Sequence, residues 1–117
     1  SSFFIGSVVS YSKNSKIEIL KISSEDLQKN SLVSEYVSKN MAESCKKLFK
    51  STYSISTTGN AGPNTNDSVS NVGQVFISVA SRNGIFTKEF NFKGTRKEII
   101  KQTVENAHKI LYKNLIK

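Results

Sequence analysis

The stretch Gln74-Val75-Phe76-Ile77-Ser78-Val79-Ala80-Ser81-Arg82-Asn83-Gly84-Ile85-Phe86-Thr87-Lys88-Glu89-Phe90-Asn91-Phe92, with Lys93-Gly94-Thr95-Arg96-Lys97-Glu98 behind it, sets the class of fold. Its β-branched and aromatic residues fall into two runs, Gln74–Ala80 and Ile85–Phe92, which is the composition of strands. Asn83-Gly84 between them tolerates the positive φ angles of a tight hairpin turn, so the runs should pair antiparallel with Phe86, Phe90 and Phe92 on one face. After Gly94, Thr95 and Glu98 make a Thr-x-x-Glu capping box. Ile100, Val104, Ala107, Leu111 and Leu115 then recur at helical spacing, which predicts a long amphipathic helix. The lysines 97, 101, 109, 113 and 117 around Glu105 read as its solvated face, with an ion pair or two.

Upstream, the same two periods alternate. Tyr53, Ile55 and Thr57 interleave with polar residues, a strand pattern that ends in Thr58-Gly59-Asn60-Ala61-Gly62-Pro63. The polar stretch from there to Gly73 is long for a connector, and long loops inside small domains tend to carry function. Before the strand, Ser34 and Glu35 open a helix in which Val37, Met41, Cys45 and Leu48 recur with Phe49 beside them, placing Cys45 toward the core. Phe3 to Tyr11 reads as a mostly buried strand, Ser12 to Leu20 as a short capped helix with Ile17 and Leu20 on its apolar side, and Ser23 to Leu27 as a capped turn. The order strand, helix, helix, strand, hairpin strand, helix describes an α/β fold: a three-layer α/β/α sandwich with a mixed sheet.

Composition narrows the function. At 117 residues the chain supports one small domain, residues 1–117, with a thin core. No apolar run approaches the roughly 20 residues that span a bilayer, and the first apolar stretch lacks the basic flank of a signal peptide. The lone Cys45 cannot form an internal disulfide, which points to a reducing, cytoplasmic compartment. With a single His, His108, neither a metal site nor a Ser-His-Asp triad is supported, and no cofactor is expected. The net charge of +8 invites a nucleic-acid reading. Its distribution argues against one: 15 of the 17 basic residues are Lys, only Arg82 and Arg96 are Arg, and they are scattered among 19 Ser and 11 Asn. A dedicated binder would hold more Arg for bidentate phosphate and base contacts.

Several stretches together resemble the C-terminal domain of the CinA (competence/damage-inducible) family. They are Gly6-Ser7-Val8-Val9-Ser10-Tyr11-Ser12 followed by Lys16, Val33-Ser34-Glu35 with Met41-Ala42-Glu43, Thr58-Gly59-Asn60-Ala61-Gly62-Pro63, Val72-Gly73-Gln74-Val75, and Phe92-Lys93-Gly94-Thr95-Arg96. Their order and spacing run over nearly the whole chain. The resemblance implies a nicotinamide mononucleotide deamidase, an amidohydrolase in which a Ser within Glu-Ser-Cys-Thr-Gly-Gly attacks the carboxamide and a Lys is its base. Lys16 holds the matching position and would need a lowered pKa to accept the hydroxyl proton. Tyr11 would orient that Lys or shuttle a proton. Thr58, Gly59, Ala61 and Gly62 would form the substrate loop, and Arg96 a fixed cation for substrate or for developing negative charge. Tyr11, Lys16, Thr58 and Arg96 are expected to converge on one cleft at the end of the sheet.

Without the resemblance each of these residues has an ordinary reading. Lys16 is then a solvated helix-start lysine, Tyr11 a strand-end tyrosine with a wet hydroxyl, and Gly59, Gly62 and Pro63 turn chemistry. Arg96 is the exception, because a cation at a helix start opposes the helix dipole. The resemblance also implies that family domains carry roughly one strand and two helices before the position of Ser1, including the nucleophile motif, so the domain is expected to be N-terminally incomplete. Glu43-Ser44-Cys45 repeats three letters of that motif, but it lies in mid-helix and continues into Lys46-Lys47 without the glycines, so Ser44 is not assigned as nucleophile. Ser7, Asn60 and Asn64 also depart from the family pattern. Two readings follow: part of a working deamidase whose Ser lies outside these residues, or a degenerate relative that binds a nucleotide or a partner without chemistry. An exposed sheet edge favours pairing, so a homo-oligomer is expected.

Overall fold

The computed structural model describes residues 6, 17–25, 33–62 and 72–115. Within them the chain forms helix α1 (Glu35–Phe49), strands β1 (Ser54–Gly59), β2 (Gln74–Ser81) and β3 (Gly84–Asn91), and helix α2 (Arg96–Leu115). The strands make one sheet in the order β1-β2-β3, both pairs antiparallel. The two helices lie on opposite faces, so the α/β/α layering expected from the sequence is present. A mixed sheet needs a parallel pair; apart from Gly6, the strand expected over residues 3–11 lies outside the described residues, and the three described strands are antiparallel.

Each element begins where local chemistry dictates. Ser34 caps α1, its hydroxyl accepting the Val37 N–H at 3.2 Å. The helix ends at Lys50, a left-handed residue with φ 51, where Ser51 N–H donates to Lys46 O and Lys50 N–H to Lys47 O. Those paired contacts form the Schellman closure, with Lys where Gly is usual. In α2 the expected capping box is formed: Thr95 N–H donates to Glu98 Oε1 at 2.8 Å, and Glu98 N–H to Thr95 Oγ1 at 3.3 Å.

The hairpin forms as expected, but its turn is shifted by one residue. Ser81 pairs with Gly84, so Arg82 and Asn83 occupy the turn, and the positive φ falls on Gly84 alone (φ 125). The Ser81 hydroxyl supports it, accepting from Asn83 N–H at 3.2 Å and donating to Gly84 O at 3.3 Å.

Successive residues of a strand face opposite sides. Val75, Ile77 and Val79 of β2 turn toward α2 and form the main core with Ile99, Ala107 and Ile110, joined by Ile55, Phe90, Phe92 and Leu111. Phe90 and Phe92 stack at 5.0 Å. The other face carries Ser54, Ser56 and Ser78, all buried, against α1. Ser38 of α1 meets them: Ser38 Oγ lies 2.7 Å from Ser78 Oγ and 3.3 Å from Ser56 Oγ, and Ser56 Oγ donates to Ser38 O at 2.7 Å. Ser78 Oγ also lies 2.7 Å from Thr87 Oγ1, and Ser54 Oγ donates to Ala42 O. A smaller cluster of Leu20, Ile22 and Val37, with Ile17 and Met41, packs around the first turns of α1.

The phase of both helices corrects the sequence expectation. In α2 the buried positions are Ile99, Ala107 and Ile110, whereas Ile100, Val104 and Leu115, expected in the core, are each about half exposed. In α1 the inward residues are Val37, Ser38 and Ala42; Leu48 is 49% exposed, and Cys45 is only partly buried. Among the described residues no ion pair forms around Glu105, while α1 carries Glu35–Lys39 and Glu43–Lys47 pairs at 3.1 and 3.2 Å.

Candidate functional site

The C-terminal end of β1, the start of β2 and the end of β3 lie together at one end of the sheet. The ladder continues past the strands there. Asn60 N–H donates to Gln74 O at 3.0 Å, Gly73 N–H to Asn60 O at 2.6 Å, and Phe92 N–H to Gly73 O at 2.8 Å. This close approach depends on Gly73, which has φ 91 and where a Cβ would lie 2.0 Å from Phe92 O. The chain then turns through Gly62 at φ 84, packed so closely that a Cβ would meet Val72 Cγ1 at 2.9 Å. The loop from Gly59 to Gly62 is thus shaped by backbone pairing on one side and by glycine packing on the other.

Arg96, the first residue of α2, reaches this loop: its Nη1 donates to Gly62 O at 2.9 Å. The capping box fixes the start of the helix from which Arg96 projects. Thr95 holds the Glu98 carboxyl below its ordinary value, first through its backbone N–H and then through its side chain. A cation in the first turn is disfavoured by the helix dipole by about 0.3–1 kcal/mol. The carbonyl contact across 34 residues offsets that cost and ties α2 to the loop.

Thr58 shares the strand phase of Ser54 and Ser56, so it stands on the α1 face, paired in register with Phe76. Gly59 and Ala61 are on the α2 face, where with Thr57, Val75, Ile99, Ile100, Thr103 and Val104 they line an apolar groove of about 210 Å³. Ligand pockets commonly run from about 300 to 1,000 Å³, so this groove alone is too small for a nucleotide. Of the residues singled out from the sequence, the structure therefore joins Gly59, Ala61, Gly62 and Arg96 around one loop, with Thr58 leading into it on the opposite face. Tyr11 and Lys16 lie outside the described residues.

Two residues that shape the loop carry weak sequence signals. Apart from the resemblance of Val72-Gly73-Gln74-Val75, Gly73 reads as a glycine ahead of a strand. Asn60 is 1% exposed, a burial its polar side chain does not predict. Glu43-Ser44-Cys45 stays helical, with Glu43 paired to Lys47 on the outer surface. Burial raises the Cys45 thiol, which keeps it protonated and a poor nucleophile. Nothing at this segment provides the free backbone N–H groups that a glycine turn offers.

Residues 1–115 match the family described as the CinA C-terminal domain. A CinA-like protein of Flavobacterium psychrophilum is 42% identical over 117 residues, all of this chain and 28% of its own length. A putative competence-damage inducible protein of Clostridium botulinum is 37% identical over 115 residues, again 28% of its length. The chain thus spans little more than a quarter of these curated relatives. Among solved structures, a competence-damaged protein (CinA) superfamily protein from Enterobacter cloacae superposes with a TM-score of 0.87 at 26% identity, covering 92% of this chain and 64% of that one. A competence or damage-inducible protein from Enterobacter asburiae gives 0.87 at 27% identity, covering 92% and 68%.

Proposed function

Since the chain belongs to the CinA C-terminal domain family, we propose that it is the substrate-loop part of an amidohydrolase that converts nicotinamide mononucleotide to nicotinate mononucleotide and ammonia. In this reading a Ser hydroxyl from outside these 117 residues adds to the carboxamide carbon while Lys16 takes its proton. The C–N bond breaks as that proton passes to the departing ammonia, and water then releases the carboxylate and regenerates the Ser. Tyr11 orients Lys16, and Thr58 with the Gly59, Ala61 and Gly62 loop receives the substrate. Arg96 supplies a positive charge beside it.

The observation that carries the reading is the Arg96 bond to Gly62 O at 2.9 Å, which sets a cation of the candidate site against the glycine loop. The same reading brings expectations of a cytoplasmic location, from the single Cys45, and of a homo-oligomer, which light scattering on the purified chain checks. Among the described residues no helix is long and apolar enough to cross a membrane.

Ammonia release from nicotinamide mononucleotide tests the activity. The 117 residues alone should be silent, because they do not include the Glu-Ser-Cys-Thr-Gly-Gly motif whose Ser Lys16 would activate. A longer protein carrying Glu-Ser-Cys-Thr-Gly-Gly upstream should be active, and Lys16→Ala should cost it several orders of magnitude, about as much as removing its Ser. Release by the 117 residues that Ser44→Ala abolishes would overturn the assignment. An inactive longer protein would favour the second reading, a nucleotide- or partner-binding domain without chemistry, for which the buried Asn60 in the substrate loop speaks.

A further inference from the structure

Arg96 does more at this site than carry charge. Among the described residues one of its N–H donors is used, on a backbone carbonyl of the loop, at 2.9 Å. Gly62 has no side chain through which neighbours could hold it, and without a Cβ its backbone has many conformations open to it besides the observed φ of 84. On the other side, the loop is anchored through Asn60, whose backbone N–H and carbonyl are both paired with the start of β2. Between the Asn60 anchor and the Arg96 contact only Ala61 intervenes, so the two fix the peptide planes of the whole turn. The arginine itself projects from a helix start held by the reciprocal Thr95–Glu98 bonds. A planar guanidinium suits this task, because one N–H can grip the carbonyl while the others still face outward.

We propose that Arg96 is a positioning residue: its guanidinium latches the Gly62 carbonyl and so sets the shape of the loop that receives a nucleotide. The nucleotide rests on the function proposed above; the latch does not. Arg96→Ala removes the grip and leaves the loop with its Asn60 pairing to the start of β2. A hydrogen bond from a charged donor is lost, and the amide of Gly73, which donates to Asn60 O, becomes easier to open.

Amide hydrogen exchange on the whole chain tests the latch without any ligand. In Arg96→Ala the Gly73 amide should exchange about tenfold faster, while the amides of Ile77 and Ser78 in the centre of β2 keep their rates. An unchanged Gly73 rate, or an equal rise throughout β2, overturns the proposal. Calorimetric titration with nicotinamide mononucleotide then separates positioning from direct contact. Gly62→Ala, which distorts the loop but keeps the guanidinium, should weaken binding by a similar factor to Arg96→Ala, and the double variant no further. Losses that multiply in the double variant would make Arg96 a ligand contact and overturn the positioning role. Absence of binding by the unaltered chain would count against the nucleotide reading, and the exchange result would then decide the latch alone.

Discussion

The central strand β2 turns Val75, Ile77 and Val79 to α2 and Phe76, Ser78 and Ala80 to α1, and different physics holds each side. Against α2 the contact is almost wholly hydrocarbon: Ile77 is fully buried and Ile99 is 1% exposed. Such a face is non-directional, and any side chains of suitable volume would hold it. Against α1 the same strand meets hydroxyls, and Ser38, Ser54, Ser56 and Ser78 are buried only because each has a partner at hydrogen-bonding distance. That face adds less to stability per residue, yet it permits one register of helix on sheet. A layer with little hydrocarbon is still placed uniquely when its polar atoms match one to one.

The greatest effect should come from the apolar side. Ile99→Ala leaves a cavity beneath β2, and denaturant unfolding should show a loss of about 2–5 kcal/mol. An effect below about 1 kcal/mol would mean that the α2 face is not the main source of stability. On the hydroxyl side, Ser78→Ala should cost about 1–3 kcal/mol, because it leaves Ser38 and Thr87 short of a partner. Removing Ser38 and Ser78 together should cost clearly less than the sum of the two single changes, since the groups left unpaired by one are deleted by the other. Strict additivity would show that the seam is a set of independent contacts.

Lys50→Gly relieves a left-handed residue at the end of α1 and should raise stability by about 1 kcal/mol without touching either face. The smallest effect concerns the start of α2. Glu98 titrates below the ordinary value of 4.5, so its contribution is fully present above that pH and is lost as the pH falls through the lowered value. Acid titration followed by NMR should show the Thr95 amide losing its protection in that window, and Glu98→Gln should flatten the dependence. Ser78→Ala should leave it unaltered.

The hairpin, the Ser34 cap and the Thr95–Glu98 box were legible because each is a local signal, complete within a few residues. The phase of α2 was not. Ile99 and Ile100 are adjacent and equally apolar, so periodicity alone cannot choose between a stripe through Ile100 and Val104 and one through Ile99, Thr103 and Ala107. Contact with Ile77 makes that choice, and it is a tertiary fact. The serine seam was hidden for a related reason. Four buried serines among 19 look like surface residues until the register sets Ser56 opposite Ser78 and Ser78 opposite Thr87. At the candidate site the Gly-rich loop was readable as chemistry of turns, and Arg96 stood out as a cation at the wrong end of a helix. Their bond was not readable, because its partners are 34 residues apart.

The seam also has a sense of direction. A serine or threonine hydroxyl carries one proton, so it donates once however many bonds it accepts. Ser56 gives its proton to Ser38 O, hence Ser38 must be the donor in its contact with Ser56. With its own proton so placed, Ser38 can only accept from Ser78, and Ser78 in turn only from Thr87. Three hydroxyl protons therefore run one way, from Thr87 of β3 through Ser78 of β2 and Ser38 of α1 to Ser56 of β1, and Ser56 returns its own to the Ser38 carbonyl. Reversing one rotor requires reversing those downstream of it, so the helix and the sheet are joined by a chain that behaves as a single polarised unit.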